Sequence, residues 1–270
     1  MLYIRAAMCT IAVLHRVSAR HPLAVVANRD ELRSRPTAPP RVLHRTPRAI
    51  GGVDLLSGGT WMGANEHHLF VGLTNQRSLE PPDRSKRSRG EVVLAALAEH
   101  DAEGVARHLA SIDAREHNGF NLIFGGLGDV RVAYARPDAR TIEIERVAEG
   151  ITVLANDRLE SAAFPKTVRA ASLALHALDH VEDGGWARLL ADHALPPIDQ
   201  IEAPPADARF DRAILHQLQA LCIHLPFYGT VSATAMLFGP GGGLERYLFA
   251  AGQPCDTPFD DVTHLLEQDR

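Results

Sequence analysis

The 270-residue chain is 46% hydrophobic and 23% charged, the composition of an ordinary globular domain and not of a disordered, collagen-like or coiled-coil chain. Its 33 acidic and 28 basic residues give a net charge of −5, which argues against a nucleic-acid binder. No apolar run approaches the roughly 18 residues of a membrane span. Three cysteines (Cys9, Cys222, Cys255) without a CxxC or CxxCH spacing exclude a disulfide framework, a zinc ribbon and an attached haem.

In chain order, Ala6 to Leu14 is largely apolar after Arg5 and has the outline of a weak signal peptide, but it reads better as the approach to a buried first strand. Cys9 to Val17 and Pro22 to Arg29 are apolar, β-branched runs joined by a short polar turn, a hairpin or two neighbouring strands. Residues 32–50 carry Pro36, Pro39, Pro40 and Pro47 and are expected to be irregular and exposed. Gly58-Gly59-Thr60-Trp61-Met62-Gly63 brackets a short strand, Leu69 to Thr74 makes another, and Ser78 to Arg89 is a polar, basic loop. From Gly90 the period becomes helical (Val92, Val93, Ala96, Leu97), continuing through Val105 and Leu109.

Strands return at Phe120 to Phe124, Val130 to Ala135, Thr141 to Val147 and Ile151 to Leu154. Ala162 to Leu178 is a helix, residues 211–223 are a second, and Thr230 to Phe238 and Arg246 to Ala250 are strands around Gly239 to Gly243. About nine strands and four helices, with strands grouped and adjacent, predict an α+β or layered fold with largely antiparallel sheets. No linker composition interrupts the chain, so a single domain is expected.

Met8-Cys9 carries the most chemistry. If the chain begins or is cut at Met8, Cys9 becomes residue one and bears a thiol beside a free α-amine of pKa about 7.7–8.0, which serves as its own general base. A mid-chain Cys9 is instead a small buried hydrophobe. Asn28-Arg29-Asp30-Glu31 ends the second strand in an abrupt change from apolar to polar; Arg29 suits a carboxylate or an acyl carbonyl and Asp30 an amine. The histidine groupings His67-His68, His176-His180 and His216 with Cys222 and His224 lack HExxH spacing, so no metal is expected. Gly239 to Gly243 is a turn and not a phosphate loop, and Arg84 to Arg89 reads as a solvated loop.

Cys9, Val26-Ala27-Asn28-Arg29-Asp30-Glu31, Arg35-Pro36, Gly58 to Gly63, Leu73-Thr74-Asn75, Ser88-Arg89-Gly90, Asn156 through Pro165-Lys166, and Tyr228-Gly229-Thr230 occur in that order. The set resembles the NRDE family, also called the transport and Golgi organisation protein 2 family, over roughly residues 8 to 250. The resemblance implies a Met-Cys start at Met8, so that residues 8–270 would form the domain and residues 1–7 a dispensable extension, and the N-terminal nucleophile (Ntn) hydrolase fold, a four-layer αββα sandwich. It also brings in cysteine enzymes that act on bile-salt, penicillin and ceramide-type amides. By that likeness Cys9, Arg29, Asp30, Asn75 and Asn156 are the catalytic set, an asparagine amide being able to donate to an oxyanion. Asn28, Trp61, Tyr228 and Thr230 would contact substrate.

Two features depart from the pattern. Arg29 and Asp30 are adjacent where those hydrolases separate the pair by two residues, so their side chains point to opposite sheet faces. Val231 follows Tyr228-Gly229-Thr230 where the family usually has arginine. The expected function is an amidohydrolase acting on an N-acyl amide without a cofactor. The alternative is an intracellular carrier of haem or lipid, a hydrophobic ligand held in the same shell with haem ligated by cysteine or histidine. A cytoplasmic protein is expected, with the Cys9 thiol pKa lowered by Arg29 and the α-ammonium.

Overall fold

Strand β1 (Thr10–His15) of the computed structural model is buried along its whole length, and its two faces serve different layers. Ile11 and Val13 point one way, Ala12 and Leu14 the other, as the two-residue period of a strand requires. The structure describes residues 9–78, 81–159, 161, 164–177, 184–204 and 211–267. Met8 and the expected extension at residues 1–7 lie outside that set, as does His180 of the expected His176-His180 pair.

One sheet has six strands in the order β10 (Gly150–Leu154), β1, β2 (Leu23–Leu32), β11 (Tyr228–Phe238), β12 (Leu244–Ala250) and β13 (Asp260–Asp261). The other has seven, in sequence order: β3 (Thr37–Arg45), β4 (Arg48–Asp54), β5 (Met62–Asn65), β6 (Phe70–Asn75), β7 (Phe120–Gly126), β8 (Asp129–Ala135) and β9 (Glu143–Arg146). Neighbouring strands within each sheet are antiparallel.

The inner faces meet in a core where Ile11, Val13, Val25 and Met236 of the first sheet pack on Ile50, Phe70, Ile123 and Val132 of the second. Helices α1 (Arg89–Leu97) and α2 (Ala102–Ala110) cover the seven-stranded sheet, with Val93, Leu97 and Leu109 against Val71, Leu122 and Phe124. Helices α3 (Pro165–Ala177) and α4 (Gly185–Leu190) cover the six-stranded sheet, with Ala170, Ala174 and Leu189 against Ala12, Val26 and Ala235. Strands flanked on both faces must be apolar throughout, which is why β1 and most of β2 lack polar alternation. The result is the expected αββα sandwich.

Thirteen strands and five α-helices are found among the described residues, more than the sequence reading expects. The segment 32–50 is the main correction: it is not irregular but holds the end of β2, all of β3 and the start of β4. Pro39 and Pro40 fall in β3, an edge strand whose register slips between Ala38 and Arg41, where a proline deprives no ladder of a donor. The helix expected over 211–223 is only α5 (Arg212–Gln217), capped by Asp211, whose side chain accepts from the Ile214 amide at 2.8 Å.

Candidate active site

Strand register assembles the site at one end of the six-stranded sheet. β1 pairs Thr10 with Asn28 and Ile11 with Leu154, so continuing the two ladders brings Cys9 beside Arg29 and Asn156. On the other side of β2, Thr230 pairs with Asp30 but Ser232 with Arg29. Val231 is therefore the extra residue of a β-bulge, a device that re-aims the side chains around it. Beside these residues lies a cavity of about 490 Å³, with Cys9, Arg29 and Asp30 on one side and Trp61, Leu73 and Asn75 on the facing sheet.

Arg29 is buried, with its guanidinium carbon 4.3 Å from the centroid of the Trp61 ring and Nη2 3.7 Å from Glu31 Oε2. Trp61 has room because residue 52 is glycine; a Cβ there would fall 2.3 Å from the indole. Arg29 Nη1 is buried without a hydrogen-bond partner among the described residues. Such a donor is costly to leave unmet, and on a cavity wall it is suited to a ligand carboxylate or carbonyl oxygen.

Asp30 is fully buried, and burial pushes its carboxyl up to about 7. Lys166, the Thr230 hydroxyl and Arg29 all pull the other way, in that order of strength. Thr230 Oγ1 donates to Asp30 Oδ1 at 2.6 Å, and the Tyr228 hydroxyl donates to the Asp30 carbonyl at 3.0 Å. Lys166, in the first turn of α3, is 1% exposed; burial pushes its ammonium down, while the charges of Asp30 and Cys9 push it up. Lys166 belongs to the ordered motif set, which implies no role for it. Its one signal is rarity, since Lys86 and Lys166 are the chain's only lysines.

The Cys9 thiol is pushed up to about 11, by burial first and the Asp30 charge second. The Asp30 backbone amide and Arg29 oppose this and lose. The expected lowering of this thiol therefore does not hold for a chain that continues upstream. There the Cys9 nitrogen is an amide, and no α-ammonium stands beside the sulfur.

Of the two asparagines, Asn75 lines the cavity, while Asn156 is buried and donates from Nδ2 to the Asn75 carbonyl at 2.6 Å. Asn156 thus holds the end of β6 in place and does not line the cavity itself. Three of the four expected substrate contacts are corrected. Asn28 points to the helical layer, donating from Nδ2 to the carbonyls of Leu190 and Leu221, both at 2.8 Å. Tyr228 and Thr230 stand behind Asp30, fully buried. Only Trp61 lines the cavity.

The basic loop, expected to be solvated, keeps Arg84 and Arg87 exposed, and with Lys86 and Arg89 they form one wall of the cavity. The wall is braced where Gly59, at φ +84°, meets the backbone of Gly90; a Cβ on Gly59 would lie 2.6 Å from the Gly90 carbonyl carbon. With Arg29 and Arg35 the cavity has six basic side chains against Asp30, Glu31, Asp54 and Asp83. Of the histidine groupings noted in the sequence, that of His216 with Cys222 and His224 is not brought together, because His216 Nε2 hydrogen-bonds to the Pro196 carbonyl at 2.7 Å; His193 and Cys255 stand beside Cys222 and His224 instead.

Comparison with known proteins agrees with this architecture. The chain is similar to a variant of conjugated bile acid hydrolase from Clostridium perfringens, with a TM-score of 0.55 at 11% identity over 97% of this chain and 95% of that one. It is similar also to the Caenorhabditis elegans orthologue of N-acylethanolamine-hydrolyzing acid amidase, with a TM-score of 0.53 at 11% identity over 86% and 93%. At that identity the likeness establishes the fold, that of the Ntn hydrolases. In sequence the chain is 32% identical to a transport and Golgi organization protein 2 homolog from Bos taurus over 90% of this chain and 91% of that one. It is 30% identical to the human homolog over 82% and 83%. The family model described as "Transport and Golgi organisation 2" matches residues 8–246, and the chain belongs to that family.

Proposed function

We propose that this protein is a cysteine amidohydrolase of the N-terminal nucleophile type, active when the chain begins at Cys9, and that it cleaves an N-acyl amide bearing a negative charge. The observation that carries this reading is the position of Cys9, on the wall of a basic cavity beside Arg29, Asp30 and Asn75. With the chain started there, the α-amine takes the thiol proton as Sγ attacks the amide carbonyl. A C–S bond forms, the C–N bond breaks, and the α-ammonium gives its proton to the leaving amine. Water then attacks the thioester, releasing the acid and restoring the thiol. Asn75 donates to the oxyanion, Asn156 holds Asn75, and Arg29 Nη1 donates to a charged or carbonyl oxygen of the substrate. The N-terminus of α1 opens on the same basic wall, which favours an anion further.

The alternative carrier of haem or lipid has less support. Leu56, Trp61, Leu73 and Pro82 are the few apolar side chains besides Cys9 on a wall that is otherwise mostly charged or polar, whereas a porphyrin or acyl chain needs apolar sides.

The test is hydrolysis of a panel of N-acyl amino acids and matched neutral N-acyl amides by protein expressed from Met8. Turnover that disappears in Cys9→Ala and favours the anionic members is expected. No turnover dependent on Cys9, together with stoichiometric haem binding lost in Cys9→Ala, would overturn the reading.

A further inference from the structure

His193, Cys222, His224 and Cys255 come from three separate parts of the chain, yet their ligand-type atoms all lie within 4.8 Å of one another. His224 Nε2 is 3.4 Å from Cys222 Sγ and 3.3 Å from Cys255 Sγ, and the two sulfurs are 3.9 Å apart. Tetrahedral zinc, with bonds of about 2.3 Å to sulfur and about 2.0–2.1 Å to nitrogen, needs ligand atoms roughly 3.4–3.8 Å from one another. The three edges among Cys222, His224 and Cys255 fall within about 0.1 Å of that range, and His193 completes the group within 4.8 Å. A disulfide would need its sulfurs at about 2.05 Å and gives His224 no reason to stand equally far from both. From these distances we infer that His193, Cys222, His224 and Cys255 form a Cys₂His₂ site for a divalent cation of zinc type, separate from the cavity at Cys9.

The surroundings are those of a built site. Cys222 is buried and fixed by its backbone amide, which donates to the Asp192 carbonyl at 2.9 Å. His193 Nδ1 lies 3.1 Å from the Cys222 carbonyl; with the proton there, Nε2 keeps its lone pair for a metal. The Gln253 side-chain amide lies 2.9 Å from His224 Nδ1. The same Gln253 nitrogen donates to the Ile223 carbonyl at 3.3 Å, which ties the His224 ring to the segment between the ligands. Two thiolates and two neutral imidazoles leave a zinc complex without net charge, so the thiolate of Cys222, the one buried ligand, is not left as an unpaired buried charge. A cavity of about 320 Å³, lined by His193, Cys222 and His224 among others, gives an ion a way in.

With four protein ligands the site is structural, and what it secures is specific. Ile223, between two of the ligands, donates its amide to Thr230 Oγ1 at 2.9 Å and accepts from the Thr230 amide at 3.0 Å. The cation would therefore clamp the segment that supports Thr230 against Asp30.

The test is metal analysis of the full chain purified under reducing conditions from zinc-supplemented medium, and again after exchange with cobalt. About one equivalent of zinc per chain is expected, with the intense visible and near-ultraviolet bands of a tetrahedral thiolate–cobalt complex. Cys222→Ser/Cys255→Ser should lose at least tenfold in bound metal, and Cys9→Ala none. The unfolding temperature should fall on chelation in the wild-type chain and stay constant in the double variant. Absence of metal with both thiols free, a Cys222–Cys255 disulfide in the reduced preparation, or full metal retention by the double variant would each overturn the inference. Loss of amide turnover in Cys9→Ala leaves it untouched, because the two sites share no residue.

Discussion

Thr230 Oγ1 donates to Asp30 Oδ1 at 2.6 Å from the position directly across the β2–β11 ladder, and the same oxygen accepts the Ile223 amide at 2.9 Å. The hydroxyl is thus spent on holding a buried carboxylate, not on a substrate. It is one of three influences that keep Asp30 from rising still further, the others being Lys166 and Arg29.

Asp30 makes stability depend on pH in a direction opposite to the usual carboxylate. Its folded value, about 7, lies above the ordinary 3.8, so the folded chain holds a proton that the unfolded chain has released. The contribution is favourable below 3.8 and is lost as the pH rises towards 7. Denaturant titrations between pH 4 and 8 should show stability falling across that window in the wild-type chain and a flatter profile in Asp30→Asn. Equal slopes in the two proteins would remove Asp30 as the cause.

Lys166→Met should move the upper end of that window to higher pH, because the ammonium is the largest opposing influence on the Asp30 carboxyl. Lys166→Arg, which keeps the charge, should restore the wild-type profile wherever it folds. The readout is the pH at which the stability curve levels off. An unchanged value in Lys166→Met would show that the two groups do not interact.

Reactivity of Cys9 should depend on where the chain begins. With residues upstream, a thiol at about 11 is thiolate in only on the order of one molecule in ten thousand at pH 7. Iodoacetamide should then label exposed Cys255 well ahead of Cys9, as read by peptide mapping of metal-free protein. In protein expressed from Met8 with the methionine removed, Cys9 should label at least tenfold faster than in the longer chain. Identical rates in both forms would mean that the α-amine does not activate the sulfur.

Asn28→Ala should cost about 2 kcal/mol of stability, since it strands the buried carbonyls of Leu190 and Leu221. Guanidinium unfolding measures the loss, and kcat/KM per folded molecule on the best amide should stay within about twofold. A selective rise in KM with unchanged stability would return Asn28 to the substrate.

The hairpin of β1 and β2 is legible because uninterrupted β-branched and apolar residues admit only a strand covered on both sides. The same rule misleads at its end. Asn28, Arg29, Asp30 and Glu31 look like one polar site in sequence, but alternation sends Asn28 towards the helices and Arg29 towards Trp61. Segment 32–50 is misread because proline weighs against a strand unless the strand is known to be an edge, and edges are fixed only by the whole sheet. Lys166 has no local pattern at all; its meaning comes from α3 packing its first turn beside Asp30. The full Cys222 cluster is hidden for a like reason: Cys222 and His224 are neighbours in sequence, but His193 and Cys255 each lie roughly thirty residues away and are joined to them only by topology.

The bulge at Val231 makes β11 a strand written in two phases. Before it, Thr230 shares a face with Asp30; after it, Ser232 matches Arg29, and Ala233, Ala235 and Leu237 turn to the helical layer while Met236 turns to the inter-sheet core. One residue fewer between Thr230 and Ser232 would exchange the two faces for everything on one side of the break, setting either the carboxylate support or the core out of step. The spacing of the backbone at this point therefore matters more than the side chain it bears, which is why a valine can occupy a position where the resemblance leads one to expect arginine without disturbing the frame that holds Asp30.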